Sequence, residues 1–188
     1  MPRLLFLISV LALAVAFAVR WWYGLRVLAT EGERPCRCDL NKWLPAPGDT
    51  ATIHRSDATA YEFGHQLRLK ALAEWAEEMP KAAAAREKSR RFGLAVPPLS
   101  ILIAVFAVIA VKIHFFAAIV LVLAAIALSA GFAISAVSSE LQAITRASKK
   151  ARDARAFPDH TQENAIIRCA HAHAWREAFP PIFKLIQG

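Results

Sequence analysis

The stretch LAVPPLSILIAVFAVIAVKIHFFAAIVLVLAAIALSAGFAISAV, Leu94 to Val137, sets the architecture of the chain. Its only ionisable residues, Lys112 and His114, stand together and split it into two uncharged runs, Leu94 to Val111 and Phe115 to Val137. A hydrocarbon core about 30 Å thick needs roughly 20 apolar residues in helical form, so each run is long enough to cross it. Lys112, Ile113 and His114 then form a tight hairpin between two spans. Pro97 and Pro98 are expected in the first turn of the second span, where missing amide donors cost little. Gly131 and Ser135 give a small-xxx-small spacing that permits close helix packing.

Toward the amino terminus, Leu4 to Val19 is a third uncharged run, followed by Arg20 and the interfacial pair Trp22 and Tyr23. Ala16-Phe17-Ala18 resembles a signal-peptide cleavage site, but the amino end carries only Arg3, and Arg20 and Arg26 oppose export of the polar segment beyond them. An uncleaved anchor is expected. The remainder of the 188 residues keeps the charged fraction at 20% although the mean hydropathy is +0.36, a mixture that requires spans plus polar segments. The sequence therefore predicts an all-α membrane protein: three transmembrane helices with cytoplasmic amphipathic helices.

Orientation is read from the placement of Lys and Arg. One precedes the first span, 13 lie between the first and second spans, Lys112 alone marks the hairpin, and 8 lie beyond Val137. This places the amino terminus outside, and the main loop and carboxyl tail in the cytoplasm of a multi-pass cell-membrane protein. The net charge of +8 reads as retention beside an anionic leaflet, so the bilayer is an expected partner and nucleic acid is not. Cys36, Cys38 and Cys169 are an odd set that implies no disulfide framework, and Cys36-Arg-Cys38 lacks the second ligand pair of a zinc finger.

The expected segments are 1–23, the first span; 24–55, an irregular loop with Cys36 and Cys38; 56–93, cytoplasmic helices; 94–137, the hairpin; and 138–188, a helical tail. Ser56 is the expected cap of a helix ending near Pro80, with Tyr61, His65, Leu69, Leu72 and Trp75 on one face. A second helix, Lys81 to Arg91, leads toward the membrane. After the third span, Ser139 to Phe157 continues as helix, and Glu163 to Trp175 forms another, capped by Asp159 or Thr161. Cys169 and His173 then share a helical face, while His171 points elsewhere.

Chemistry concentrates in Tyr61-Glu62-Phe63-Gly64-His65. In H-E-x-x-H sites two His four residues apart project from one helical face onto a zinc ion, and the Glu polarises the metal-bound water. Here Tyr61 stands where the first His would be. A single His with one carboxylate falls short of the three protein ligands usual for catalytic zinc. His54, or Cys169 with His173, are the available substitutes.

YEFGH resembles the H-E-x-G-H motif of the YugP-like neutral zinc metallopeptidases, bacterial membrane proteins, at Glu62, Gly64 and His65. Ser138-Ser139-Glu140-Leu141-Gln142-Ala143-Ile144-Thr145-Arg146-Ala147 is similar to that family's L-P-x-E-F-x-A-S-x-R-A stretch at the Glu, Ala, Arg and Ala. Glu163 to Arg168 and the Ala-rich sequence after it look like the family's closing helix. The resemblance covers roughly two thirds of the chain. It implies Glu62 as general base and His65 and Glu140 as zinc ligands. The segment before the motif departs from the family, being short and occupied by the Cys36/Cys38 loop. The loss of the first His implies a degenerate relative: a non-catalytic scaffold that binds a membrane-protein or peptide partner. Two other functions compete with it, an active zinc metallopeptidase with a non-standard ligand set, and a small membrane adaptor or lipid-binding subunit unrelated to peptidases.

Overall fold

The computed structural model describes residues 2–39, 57–110 and 112–178. Helix α1 spans Pro2–Val19, passes through a π-helical segment at Arg20–Leu25, and resumes as α2, Arg26–Glu31. Strands β1, Pro35–Arg37, and β2, Asp57–Thr59, pair antiparallel with Cys36 opposite Ala58. Four longer helices complete the fold: α3, Ala60–Glu78, α4, Pro80–Ala110, α5, Phe115–Asp153, and α6, His160–Ala178. The described chain divides into two compact units. One holds residues 2–20, 81–137 and 177–178; the other holds 21–39, 57–80 and 138–176.

Three helical stretches are long and apolar enough to cross a membrane, Pro2–Glu31, Pro80–Ala110 and Phe115–Asp153. Only 17%, 22% and 28% of their most apolar windows are buried within the protein. Leu7, Leu11, Leu102, Phe106 and Ile109 face outward, a surface that water tolerates poorly and hydrocarbon accepts. Ser9, Ala16, Ala104 and Ala118 are buried, and the Phe6 and Phe116 rings lie 5.7 Å apart. Gly131 and Ser135 are exposed, and a Cβ added at Gly131 would meet nothing within 4 Å.

Pro97 and Pro98 lie in the middle of α4, because the helix begins at Pro80 rather than at the span, and so the expectation of first-turn prolines is corrected. A mid-helix proline removes the amide that would bond to the carbonyl four residues earlier. For Pro97 that carbonyl belongs to Gly93, and the buried Ser129 hydroxyl of α5 donates to it. Gly93 leaves the space: a Cβ there would stand 3.4 Å from Ser129 Oγ. The hairpin turn places Lys112 at a φ of 54°, and His114 O accepts from Ala117 N at 2.8 Å as α5 begins.

In the second of these units, the polar unit of 21–39, 57–80 and 138–176, the sequence expectations shift by a few residues. The start of the segment read as irregular is helical as far as Glu31, and Cys36 lies in a strand. Ser56 lies outside the described residues, and the cap of α3 is Thr59, whose Oγ1 accepts from Glu62 N at 3.3 Å. Extension of 57–59 as β2 moves the helix start to Ala60. The buried face of α3 is Phe63, Gly64, Leu67, Ala71 and Trp75, whereas Leu69, expected inside, is half exposed. Lys81 to Arg91 is continuous with the second span as part of α4 rather than a separate helix. At α6 the cap is Asp159, whose carboxylate accepts from Thr161 N at 3.1 Å. Phe63, Leu67, Ile144 and Ile166 form the fully buried centre, each contributing about 1.5–3 kcal/mol by area.

Ser129→Ala is expected to destabilise the hairpin by about 1 kcal/mol, the scale of interhelical hydrogen bonds in membranes. In a Pro97→Ala background, where the restored amide can serve Gly93, the same change should cost little. Unfolding titrations in mixed detergent measure both, and equal losses in the two backgrounds would contradict the assignment.

Candidate functional site

The polar unit brings Tyr61 and His65 of α3 against His173 of α6. These three rings are set by helical geometry: Tyr61 and His65 are four residues apart and share a face. The Tyr61 and His173 centroids lie 4.4 Å apart and those of His65 and His173 5.1 Å apart, both edge to face. His173 Nε2 stands 3.1 Å from the Tyr61 carbonyl oxygen, which only accepts, so Nε2 carries a proton and donates. The Tyr61 hydroxyl accepts from Arg176 Nη1 at 2.8 Å, and the guanidinium carbon lies 5.4 Å from the centre of the Tyr61 ring. Tyr61 thus packs its ring against His173 while its hydroxyl is held by a cation.

Gly64 explains how α3 and α6 come so close. A Cβ at that position would lie 2.6 Å from Cys169 Cβ and 2.8 Å from Ala170 N, closer than real Cβ atoms approach backbone. The absence of a side chain is thus a packing requirement of the crossing. The π-helical segment has a similar contact, with Gly24 against the backbone of α6 at Ala172 and Arg176, and Tyr23 stacked 5.8 Å from Trp175. Cys169 is fully buried beside Gly64, in a core that also contains Cys36 and Cys38.

Glu140 is elsewhere in the unit and already engaged. It is 2% exposed, and Arg68 of α3, 4% exposed, donates to its carboxylate through Nε. Arg68 is the residue that sequence reasoning passed over. Its signal was its position on α3, three residues after His65 and seven before Trp75, where a charged side chain requires a buried acid as partner. Arg176 was missed in the same way, since only the crossing of α3 and α6 brings it to Tyr61.

Glu62 faces outward from the first turn of α3, where a carboxylate favours the positive helix end. It lines an open groove of about 730 Å³ with Arg37, Asp57, Thr59 and Gln162. Arg37 N donates to Gln162 Oε1 at 2.6 Å, fastening β1 to α6. His54 lies outside the described residues.

Among the described residues no three His, Cys, Asp or Glu side chains converge as a metal-binding group. Two of the candidate positions are otherwise engaged: Glu140 is bonded to Arg68, and Arg176 sets a positive charge on Tyr61 beside His173. Burial, with smaller contributions from the charges of Glu31 and Cys36, pushes the Cys169 thiol up to about 12. Burial, with Asp39 and Cys36, does the same to Cys38, which reaches about 12. Neutral thiols are poor nucleophiles and poor metal ligands, so these two act as apolar filling. Burial also holds the His171 imidazole below its ordinary value.

No family model, curated protein or solved structure matches the chain.

Arg68→Met alone leaves a buried carboxylate and is expected to cost about 3–5 kcal/mol, whereas Arg68→Met with Glu140→Leu should recover most of that loss. Thermal or denaturant unfolding of the four variants provides the cycle, and additive losses would show that the pair is not coupled. The raised thiols give a second expectation. Their folded values lie above the unfolded value of 9.0, so their contribution is complete below about pH 9 and is lost as pH rises toward 12. Cys169→Ala should flatten that alkaline loss in melting experiments between pH 8 and 11; an unchanged slope would remove Cys169 from its cause.

Proposed function

We propose that this chain is a multi-pass membrane protein whose polar helical unit is a non-catalytic scaffold, resembling the YugP-like zinc metallopeptidases with their metal chemistry replaced by packing. The observation that carries this reading is the buried Arg68–Glu140 pair. A carboxylate held by a guanidinium inside the protein cannot serve a metal without breaking that pair, at a cost of several kcal/mol. The Tyr61–His173–His65 ring cluster supports the same reading, because it uses the motif face to join α3 and α6. The groove beside β1, β2 and Glu62 is the surface offered to a peptide or membrane-protein partner. The excess of Lys and Arg outside the hairpin supports a cytoplasmic polar unit and an external amino terminus.

One observation favours the second reading, an active metallopeptidase. The 5.1 Å separation of the His65 and His173 rings suits two imidazoles on one ion, with His54 as the further ligand and Glu62 as general base.

Elemental analysis of the dialysed, detergent-solubilised protein separates the two. The scaffold predicts no retained zinc, and identical readings for wild type, His65→Ala and His173→Ala. About one zinc per chain, lost in both variants, would overturn it in favour of the peptidase. Carboxyl-terminal reporter fusions test the sidedness: a fluorescent green protein and an inactive alkaline phosphatase are expected, and the opposite pair would reverse the orientation.

A further inference from the structure

We propose that α4 carries a binding site for anionic phospholipid headgroups, formed by Lys88, Arg90 and Arg91 and partly occupied by the protein's own Glu87. The site rests on the membrane reading, and not on the sidedness or the absence of catalysis.

Helix α4 runs without interruption from Pro80 to Ala110, so the basic lead-in and the apolar span share one axis. Each residue's height above the apolar surface is then fixed by the rise of about 1.5 Å per residue. The exposed Phe92 begins that surface, which continues through the exposed Leu94, Leu99 and Ile101. Measured from Phe92, Arg91 and Arg90 lie within about 3 Å along the axis, Lys88 at about 6 Å, Arg86 at about 9 Å and Lys81 at about 17 Å. Screening in physiological salt removes most attraction beyond about 8 Å. Lys88, Arg90 and Arg91 therefore act on headgroups, Arg86 stands at the margin, and Lys81 is too far away.

Glu87 identifies the ligand chemistry. Its two carboxylate oxygens are taken by two guanidiniums: Oε2 accepts from Arg90 Nε at 3.0 Å, and Oε1 accepts from Arg91 Nε at 2.9 Å. Arg90 Nη2 adds a longer bond to Oε1 at 3.3 Å. A phosphodiester also presents two anionic oxygens, and guanidinium groups bind either anion with paired donors. Both arginine side chains are more than half exposed, so a headgroup reaches them without any rearrangement of the helix. The exposed apolar residues directly beyond Phe92 take the acyl chains of the same lipid. Glu87 thus competes with the phosphate for one pair of arginines. Lys88, one residue away from Glu87 and three from Arg91, adds charge without bonding to that carboxylate in the structure.

The test uses the full chain, delipidated and returned to mixed micelles containing equal phosphatidylglycerol and phosphatidylcholine. Retained lipid is counted by native mass spectrometry. A basic residue near an anionic surface contributes about 1 kcal/mol, or roughly fivefold. Wild type should retain phosphatidylglycerol in preference to phosphatidylcholine. Arg90→Gln with Arg91→Gln should bring the two lipids close to parity, Glu87→Gln should raise the preference severalfold, and Lys81→Gln should leave it unchanged. Helical content by circular dichroism confirms that each variant is folded. Wild-type preference in the double variant, a fall in Glu87→Gln, or displacement by millimolar inorganic phosphate alone would overturn the proposal. Carbonate resistance of the chain in native membranes reads the membrane assignment separately, so failure there is distinguishable from failure of the site.

Discussion

An arginine and a glutamate removed from water constrain a helical unit more strictly than the apolar contacts around them. Apolar side chains accept many partners at similar cost, whereas a buried guanidinium and carboxylate accept very few. Arg68 and Glu140 are 72 positions apart, and their pairing fixes α3 against the polar end of α5. Sliding either helix by one residue rotates its side chain by about 100° and separates the charges. The other features of the unit conform to that register. Phe63 and Leu67 reach Ile144 and Ile166 in one core, Gly64 meets Cys169, and Tyr61 meets His173.

Within this register the motif-like residues acquire ordinary physical roles. Gly64 permits a close crossing, Tyr61 packs against His173 and accepts from Arg176, and Glu140 neutralises a buried cation. Glu62 remains at the rim of a groove, capped through its amide by Thr59. Packing alone accounts for a glycine at 64 and a ring at 61. This is why the pattern Glu62, Gly64, His65 is weak evidence for chemistry when the first position is Tyr61.

The spans were legible because long uncharged runs are readable one residue at a time, from Leu4, Leu94 and Phe115 onward. The two strands were not, since three residues carry no usable period and their pairing joins Cys36 to Ala58 across a long separation. The helix from Ala60 was legible in type but not in phase: Leu69 looked like core, yet Gly64 and Ala71 mark the face where neighbours approach. Of the candidate residues, His65 and His173 lie together, while Glu140 lies with Arg68 and Glu62 faces a groove. Hidden from the sequence were the partners that change their meaning. Arg68 beside Glu140 and Arg176 beside Tyr61 depend on tertiary pairing, which no local pattern encodes.

The bond from Ser129 to the Gly93 carbonyl bears on how the chain enters its membrane. Pro97 deprives α4 of an internal amide partner for that oxygen, at the edge where the apolar surface of the helix begins. Its remedy is encoded 36 residues later, near the middle of the third apolar run. During synthesis the Gly93 carbonyl therefore lacks its Ser129 donor until the third run has emerged from the ribosome. This dependence favours insertion as a paired hairpin, with the short turn at Lys112 allowing the two helices to leave the translocation channel together.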